Sequence, residues 1–273
     1  MSGQDPFIDE TVRARIGLEL DRIEREQNVR ILLAAESGSR AWRFASPDSD
    51  YDVRFIYVRR LEDYVSIETP RDVIERPLDA VLDINGWDLR KALQLMMKSN
   101  AVLLEWLSSP VRYRADDDAC RQLGELARAD ADLTALAFHY DRLARGAWSP
   151  AEGEQNPIRL KSYFYALRPA LALLWLRDHG APPPMDLPRL MDGAALSQEL
   201  RAAIGGLLEL KTLSLETATA VREPIIESFL SEILAVEAEP PGRRALAESR
   251  VQADRLFRRA AGVEVLEIPT KLA

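Results

Sequence analysis

Residues 36–58 read ESGSRAWRFASPDSDYDVRFIYV and combine a Gly-Ser turn, an acidic cluster and an apolar strand. The stretch VRILLAA at 29–35 precedes the turn and is short, apolar and branched, as a buried strand should be. Asp48, Asp50 and Asp52 stand at alternate positions before the second strand. Because side chains alternate between the two faces of a strand, we expect Asp50 and Asp52 to project from one face.

The acidic pair has two interpretations. Two ionised carboxylates this close repel each other unless a cation lies between them. Mg²⁺ suits such a site, because it prefers oxygen ligands and usually takes one or two protein carboxylates beside water and substrate phosphates. The alternative is a solvated turn, since Asp and Ser side chains in SPDSDYD can bond their own backbone. An EF-hand calcium loop is excluded, because it would need a glycine at Val53 and a bidentate acid at Arg59.

The Gly38-Ser39 turn favours the interpretation with a ligand. A glycine after a buried strand lets the backbone approach a bound group closely, and amides at the start of a helical turn can hold phosphate oxygens. A phosphate cradle followed by a carboxylate pair is what metal-assisted transfer from a nucleoside triphosphate requires.

Composition limits the class of protein. The chain has 273 residues, 47% of them apolar, a formal net charge of -8, one cysteine and two histidines. The negative net charge argues against sequence-independent binding of nucleic acid. With so few thiols and imidazoles, a metal site must use oxygen ligands. The first residues show no signal-peptide pattern and no apolar run is long enough to span a membrane, so we expect a cytoplasmic protein that uses no membrane.

Interleaved strands and helices up to about residue 110 give way to helical segments. A third strand is expected around Ala80 to Ile84. Later segments show the 3.6-residue helical period and are punctuated by prolines. These predicted helices span 116–145, 157–178, 194–215, 221–236 and 241–262. The sequence therefore predicts an α+β fold, with a mixed sheet and flanking helices in residues 1–112 and an all-helical domain in residues 113–273.

The order Gly38-Ser39, then Asp50-x-Asp52, resembles the signature of the polymerase-β-like nucleotidyltransferase superfamily. Longer stretches resemble one branch of it, the bacterial and phage predicted nucleotidyltransferases that include RNA-ligase-associated proteins of RNA repair clusters. The resemblance runs from about residue 30 to residue 190. Its motifs are ESGSRAW, ASPDSDYDVRFIYV, DINGWDLRKALQLMMKSN, LLEWLSSPVRY and KSYFYALRPALALLWL.

This resemblance implies a nucleotidyltransferase-type sheet and a reaction. Gly38 and Ser39, with Arg40 of the same turn, are expected to bind the triphosphate of an NTP, and Asp50 and Asp52 are expected to bind Mg²⁺, with Mn²⁺ as an alternative. The reaction would move a nucleoside monophosphate to an acceptor hydroxyl and release pyrophosphate. The acceptor stays open between an RNA end, a protein hydroxyl and a small molecule, and so does the oligomeric state.

Superfamily members that transfer nucleotides usually have a third acid on a neighbouring strand, which completes a two-metal site and helps to deprotonate the acceptor. Asp83, in AVLDING, is our choice as this catalytic and metal-binding residue. Asp88 is the alternative, although an acid at the start of DLRKALQLMMKS is also ordinary helix-capping chemistry. Asp79, beside the Pro77 turn, is a weaker candidate.

A helix in the second half supplies further candidates. Lys161, Tyr165 and Arg168 fall at i, i+4 and i+7 and so share one face, which could close over the triphosphate or stack a base. The alternative is a partly exposed helix whose Lys and Arg stems cover apolar neighbours. The family resemblance favours nucleotide binding.

One residue departs from the family pattern. The position after the tryptophan of the turn is usually glycine there, and here it is Arg43, which either disturbs a turn that needs positive φ or brings a guanidinium to a phosphate. Two further functions remain open. One is a nucleotide-binding module without catalysis, to which Arg43 and the undecided third acid point. The other is an interaction protein, such as a toxin-neutralising partner or a component of an RNA repair assembly.

Overall fold

A five-stranded mixed sheet organises the first half of the chain in the computed structural model, which describes residues 7–76, 79, 81–152, 156–242 and 247–263. Its strands are β1 (Val29–Ser37), β2 (Tyr51–Arg59), β3 (Val73–Glu75), β4 (Leu82–Asp88) and β5 (Arg112–Ala115). Their spatial order is β3-β4-β2-β1-β5. β1 pairs antiparallel with β2 and β5, whereas β4 pairs parallel with β2 and antiparallel with β3. The predicted α+β class with a mixed sheet and flanking helices is confirmed.

Helices flank the sheet and make up most of the second half of the chain. The first five are α1 (Glu10–Gln27), α2 (Leu61–Tyr64), α3 (Leu89–Met96), α4 (Ala101–Ser108) and α5 (Asp117–Ala129). The others are α6 (Leu133–Glu152), α7 (Leu160–His179), α8 (Leu187–Gly193), α9 (Gln198–Leu213), α10 (Pro224–Ile233) and α11 (Ala247–Ala260). A short antiparallel ribbon joins β6 (Ile158–Arg159) to β7 (Thr219–Ala220).

Two segments differ from the sequence-based expectation for a local reason. The helix predicted at 116–145 is two helices, because the Asp132 carboxylate accepts the amides of Thr134 and Ala135 and so starts α6. The strand expected around Ala80 to Ile84 is β4 and lies at Leu82–Asp88, after the short β3 that was not predicted, and Ala80 itself is outside the described residues. The Asp79 carboxylate accepts the amides of residues 81 and 82, which forms a turn where the strand was expected to begin.

The sheet is covered on both faces. α1 packs Ile16, Leu20 and Ile23 against one face. The other face is covered by α3, α4, α5 and α11. A separate apolar cluster gathers around α7 and includes residues of α6, α8, α9 and α10. Burial of these apolar side chains is the main source of stability on both faces of the sheet and in the cluster around α7.

The division into residues 1–112 and 113–273 stays a prediction. β5 spans this boundary and pairs with β1, and α5 and α11 pack with the core of the sheet although they lie in the second half of the chain. Phe44 of the first half is in turn part of the α7 cluster. No helix in the described part of the chain is both long and apolar enough to cross a membrane.

Candidate functional site

Asp52 and Asp83 lie side by side on neighbouring strands. Asp52 is the second residue of β2, and the parallel register pairs it directly with Asp83 of β4. Both side chains are partly exposed, 24% and 29% respectively. Asp50 precedes β2 and is exposed. The strand register thus brings Asp52 next to Asp83, the preferred third acid, and Asp50 lies near enough to Asp52 to raise its pKa.

Asp88 lies at the other end of the same strand pair. It is paired with Tyr57, five positions beyond Asp52, which corresponds to about 17 Å along the strand. Its carboxylate caps α3 by accepting the Arg90 amide at 2.8 Å and also accepts the Tyr64 hydroxyl at 2.9 Å. The geometry therefore favours Asp83 over Asp88 as the acid that accompanies Asp52, and gives Asp88 a capping role.

Arg54 joins the two carboxylates and was missed in the sequence. Its Nη2 donates to Asp52 Oδ1 at 2.8 Å and to Asp83 Oδ2 at 2.7 Å. Its Nη1 donates to the backbone oxygen of Asp83 at 2.9 Å. The available signal was an arginine two residues after Asp52, and hence on the same strand face, in an otherwise apolar strand. Its partner Asp83 is set by strand register, which the sequence does not show.

The electrostatics of Asp52 are those of a crowded acidic site. Its pKa is raised to about 6: burial is the largest cause, Asp50 and Asp83 add to the rise, and Arg54 and Lys161 oppose it. A group with this balance is stabilised in its ionised form by additional positive charge. Positive charge near Asp52 therefore lowers its pKa, as Arg54 and Lys161 already do.

The Gly38 turn leaves space for the Asp52 carboxylate. Gly38 has φ of +72°, and a Cβ at this position would lie 2.1 Å from Asp52 Oδ2. The turn closes with the Trp42 amide donating to the Gly38 oxygen at 2.9 Å and the Phe44 amide donating to the Ser39 oxygen at 3.0 Å. Glycine is thus needed here both for its backbone conformation and for its missing side chain.

Arg43 adopts the positive φ for which glycine is the usual residue. Its φ is +69°, and its guanidinium lies 5.2 Å from the centre of the Phe7 ring. The turn therefore forms with arginine at this position, at the cost of a left-handed conformation that side chains disfavour.

Arg40 lies behind the acidic loop rather than at its surface. It is 8% exposed, and its guanidinium stacks 3.8 Å from the centre of the Tyr51 ring. Its nitrogens donate to the backbone oxygens of Asp50, Ser49 and Phe7. These contacts fix the backbone that carries Asp50, and each of the three guanidinium nitrogens already donates to a backbone oxygen.

Arg168 is also buried and bonded within the protein interior. It is 2% exposed, bonds Glu105 Oε1 at 2.7 Å and the Met185 oxygen at 2.8 Å, and lies 4.6 Å from the centre of the Trp42 ring. Tyr140 donates to the same Glu105 oxygen at 2.9 Å. Arg168 therefore ties α7 to α4 and to the Gly38 turn, and the structure does not bring it to the carboxylates.

Lys161 and Tyr165, by contrast, face the acidic site from the start of α7. The pKa of Lys161 is raised: burial works against the rise, and Tyr165, Glu216 and Asp50 outweigh it. Burial raises the pKa of Tyr165, and the negative charge of Asp52 adds to the rise. Both side chains line an open cavity of about 400 Å³ together with Ser162 and Glu216.

The acidic loop is held against the helical layer by a buried lysine. Lys211 is 1% exposed and donates to Ser46 Oγ at 2.6 Å and to Glu216 Oε1 at 3.0 Å. Ser49 donates to the same Glu216 oxygen, and Asp48 Oδ1 accepts the Glu216 amide at 2.9 Å. Asp48, the first acid of the cluster, is thus a structural contact of this loop.

Glu36 of β1 holds the backbone of Asp52, a role that the sequence did not predict. It is fully buried, accepts the Asp52 amide at 2.8 Å and accepts the Tyr113 hydroxyl. Burial raises its pKa to about 8, against the effect of these two hydrogen bonds. In the sequence Glu36 reads only as the polar end of a strand.

The pKa of Glu36 predicts how stability changes with pH. An ordinary glutamate in the unfolded chain titrates near pH 4.5. Between about pH 4.5 and pH 8, Glu36 is therefore protonated in the folded protein and ionised in the unfolded chain. This contribution is fully present below pH 4.5 and is lost as pH rises through about 8, by up to about 1.4 kcal/mol per pH unit. Denaturant unfolding of the wild type and of Glu36→Gln at several pH values should show a shallower decline in the variant. Parallel curves would contradict the assignment.

The donor atoms of the site fit a hard divalent cation. In the part of the chain that the structure describes, no group of three or more His, Cys, Asp or Glu side chains is already arranged to hold a metal ion. Asp50, Asp52 and Asp83 nevertheless supply carboxylate oxygens only, the ligands that Mg²⁺ and Mn²⁺ prefer. Arg54 provides the positive charge between Asp52 and Asp83.

Known proteins resemble this chain over most of its length. The family described as RNA repair pathway DNA polymerase beta family (RlaP) matches residues 12–259. The Bacillus subtilis (strain 168) protein named Uncharacterized protein YcgL is 46% identical over 220 residues, which cover 80% of this chain and 84% of that protein.

A solved structure gives a weaker match. The crystal structure of a nucleotidyltransferase-like protein from Exiguobacterium sibiricum 255-15 matches 90% of this chain and 77% of that one, at 14% identity and a TM-score of 0.30. A similarity this low carries no argument about fold or function. The family match over residues 12–259 confirms the family resemblance seen in the sequence: the chain belongs to the RNA repair pathway DNA polymerase beta family.

Proposed function

We propose that this protein is a divalent-cation-dependent nucleotidyltransferase that moves a nucleoside monophosphate from an NTP, ATP included, to an acceptor hydroxyl and releases pyrophosphate. The observation that carries the proposal is the direct pairing of Asp52 with Asp83, beside a glycine turn that leaves space for the Asp52 carboxylate. Membership of a polymerase-β-like family supports the same chemistry.

The reaction joins the acceptor oxygen to the α-phosphorus while the bond from that phosphorus to the pyrophosphate oxygen breaks. The acceptor hydroxyl gives up its proton, and Asp83 is our candidate to favour this loss. Gly38 and Ser39 offer backbone amides to the triphosphate, and the ammonium of Lys161 offers a positive charge. Tyr165 presents an aromatic ring beside Lys161, 5.2 Å from its Nζ, on which a base could stack.

Asp50, Asp52 and Asp83 would hold Mg²⁺, or Mn²⁺ in its place. When bound, the cation stabilises the charge on the attacking and leaving oxygens. The raised pKa of Asp52 supports this assignment, because it reflects an acidic site that gains from added positive charge.

We propose an RNA end as the acceptor. The family description names RNA repair, and Arg159 and Lys161 line the open cavity at the start of α7. With a net charge of -8, the chain needs such a local basic surface to hold a polyanion.

The acceptor and the nucleotide can be identified in one screen. Each of the four α-labelled NTPs is offered with Mg²⁺ to RNA with a free 3′ hydroxyl, to RNA with a 3′ phosphate, and to protein. Label on the hydroxyl-ended RNA alone is the expected result. Label on protein would overturn the acceptor, and release of pyrophosphate with no labelled macromolecule would point to a small molecule.

A second candidate is a nucleotide-binding protein without turnover. The bridging of Asp52 and Asp83 by Arg54 favours it, because in this arrangement one guanidinium already supplies part of the positive charge that a cation would bring to the two carboxylates. NTP binding with no label transfer to any acceptor, in the presence of Mg²⁺, would support this candidate over the enzyme.

A further inference from the structure

Arg54 holds the two acids through separable sets of hydrogen bonds. Its Nη2 bonds the carboxylates of Asp52 and Asp83, whereas its Nη1 bonds the backbone oxygens of Val53 and Asp83 at 3.2 and 2.9 Å. The side chain is 18% exposed, so it lies partly shielded from water. A guanidinium that keeps its backbone bonds can release the carboxylates without losing every partner.

A cation and Arg54 compete for the same two carboxylates. Arg54 occupies Asp52 Oδ1 and Asp83 Oδ2, and charge-assisted bonds of this kind are among the stronger hydrogen bonds in proteins. A divalent cation on these oxygens would also face the permanent positive charge of the guanidinium, in a partly buried site where charges are less screened than in water. Arg54 therefore opposes the binding of a metal ion between the two carboxylates, through its charge and through the two oxygens that it occupies.

We propose that Arg54 is an internal competitor of the divalent cation, so that the protein binds free Mg²⁺ or Mn²⁺ poorly and accepts the cation together with its NTP. The proposal rests on the proposed function, and concerns the form in which the cation enters that site. A cation carried by a triphosphate arrives with part of its charge neutralised. The same triphosphate offers oxygens that the released guanidinium can bond.

The test compares the affinities of the wild type and of three variants for Mn²⁺. They are measured by titration calorimetry on the full chain without nucleotide. Arg54→Gln removes the charge and keeps amide donors, and Arg54→Lys keeps the charge. Arg22→Gln is the control for net charge, because Arg22 is 58% exposed and pairs with Glu26 on the surface of α1. Arg54→Met, whose flexible side chain fills similar space, serves if Arg54→Gln does not fold.

We expect Arg54→Gln to bind Mn²⁺ about tenfold or more tightly than the wild type. Arg54→Lys and Arg22→Gln should stay close to the wild type. The same ranking should appear as a rise in melting temperature with added Mn²⁺, which requires no turnover. Equal affinity in the wild type and Arg54→Gln would overturn the proposal, and so would Arg54→Lys binding as tightly as Arg54→Gln.

A second titration, with Mn²⁺ and a non-hydrolysable NTP analogue, separates this proposal from the proposed function. If the wild type binds the complex, and binds free Mn²⁺ as tightly as Arg54→Gln does, only the role of Arg54 is overturned. If neither protein binds Mn²⁺ with or without the analogue, the metal-dependent function fails and the role of Arg54 fails with it.

Discussion

Asp50→Asn/Asp52→Asn should lose nucleotidyl transfer by at least about 100- to 1,000-fold, the scale expected when electrostatic stabilisation is removed from a transition state. Asparagine keeps the shape of each side chain and removes both charges, so the effect reports on charge. Transfer is measured with the NTP and acceptor that the screen identifies, at saturating NTP.

Stability should move in the opposite direction. Burial and the neighbouring acids raise the pKa of Asp52 to about 6, so its ionised form costs stability at neutral pH. We therefore expect the melting temperature of the double variant to equal or exceed that of the wild type, as happens where function is built at the expense of stability. Loss of transfer together with unfolding would not support a catalytic role.

Asp48→Asn and Asp88→Asn are the matched controls. Asp48 accepts the Glu216 amide and Asp88 caps α3, and an asparagine oxygen can accept the same amides, so each substitution should change stability by less than about 1 kcal/mol and leave transfer near the wild-type rate. Asp83→Asn should behave like the double variant in transfer. Loss of transfer in Asp88→Asn with retention in Asp83→Asn would reverse the assignment of the third acid.

Gly38→Ala should destabilise the protein by about 2 to 4 kcal/mol, the sum of a left-handed backbone and a steric clash. The new Cβ would lie 2.1 Å from Asp52 Oδ2, so either the turn or Asp52 must move. Because Asp52 is the carboxylate that the proposed reaction needs, transfer should fall with stability. A shift of this size corresponds to a fall of about 4 to 16 °C in melting temperature.

The control is the same substitution in a helix. Gly206 of α9 is exposed and has no atom within 4 Å of an added Cβ, so Gly206→Ala should raise stability by about 0.5 to 1 kcal/mol. Thermal and denaturant unfolding measure both variants. A Gly38→Ala protein as stable and active as the wild type would show that the turn does not constrain Asp52.

Local patterns in the sequence were enough to predict the strands that carry the acids and the need for glycine at position 38. They were also enough to prefer Asp83, because a carboxylate inside a strand differs from one at the start of a helix. Direct pairing of Asp83 with Asp52 followed from strand register, which depends on tertiary packing. Arg54 and Glu36 were missed for this reason, since their roles exist only once β1, β2 and β4 are aligned.

The helix face of Lys161, Tyr165 and Arg168 was grouped by period alone. Seven residues return to nearly the same side of a helix, but they also advance by about 10.5 Å along its axis. Lys161 and Tyr165 therefore meet the acidic site, whereas Arg168 meets Glu105 of α4 in the interior. Helical period predicts a shared direction and does not predict a shared neighbour.

The most direct measurement is label transfer from the α-labelled NTP to hydroxyl-ended RNA by the wild type and by Asp50→Asn/Asp52→Asn, each with Mg²⁺ and with a chelator. A metal-dependent nucleotidyltransferase at this site predicts transfer by the wild type with Mg²⁺ and none above background in the other three reactions. Equal transfer by the folded double variant, or transfer that persists in chelator, would contradict the assignment of the reaction to Asp50 and Asp52.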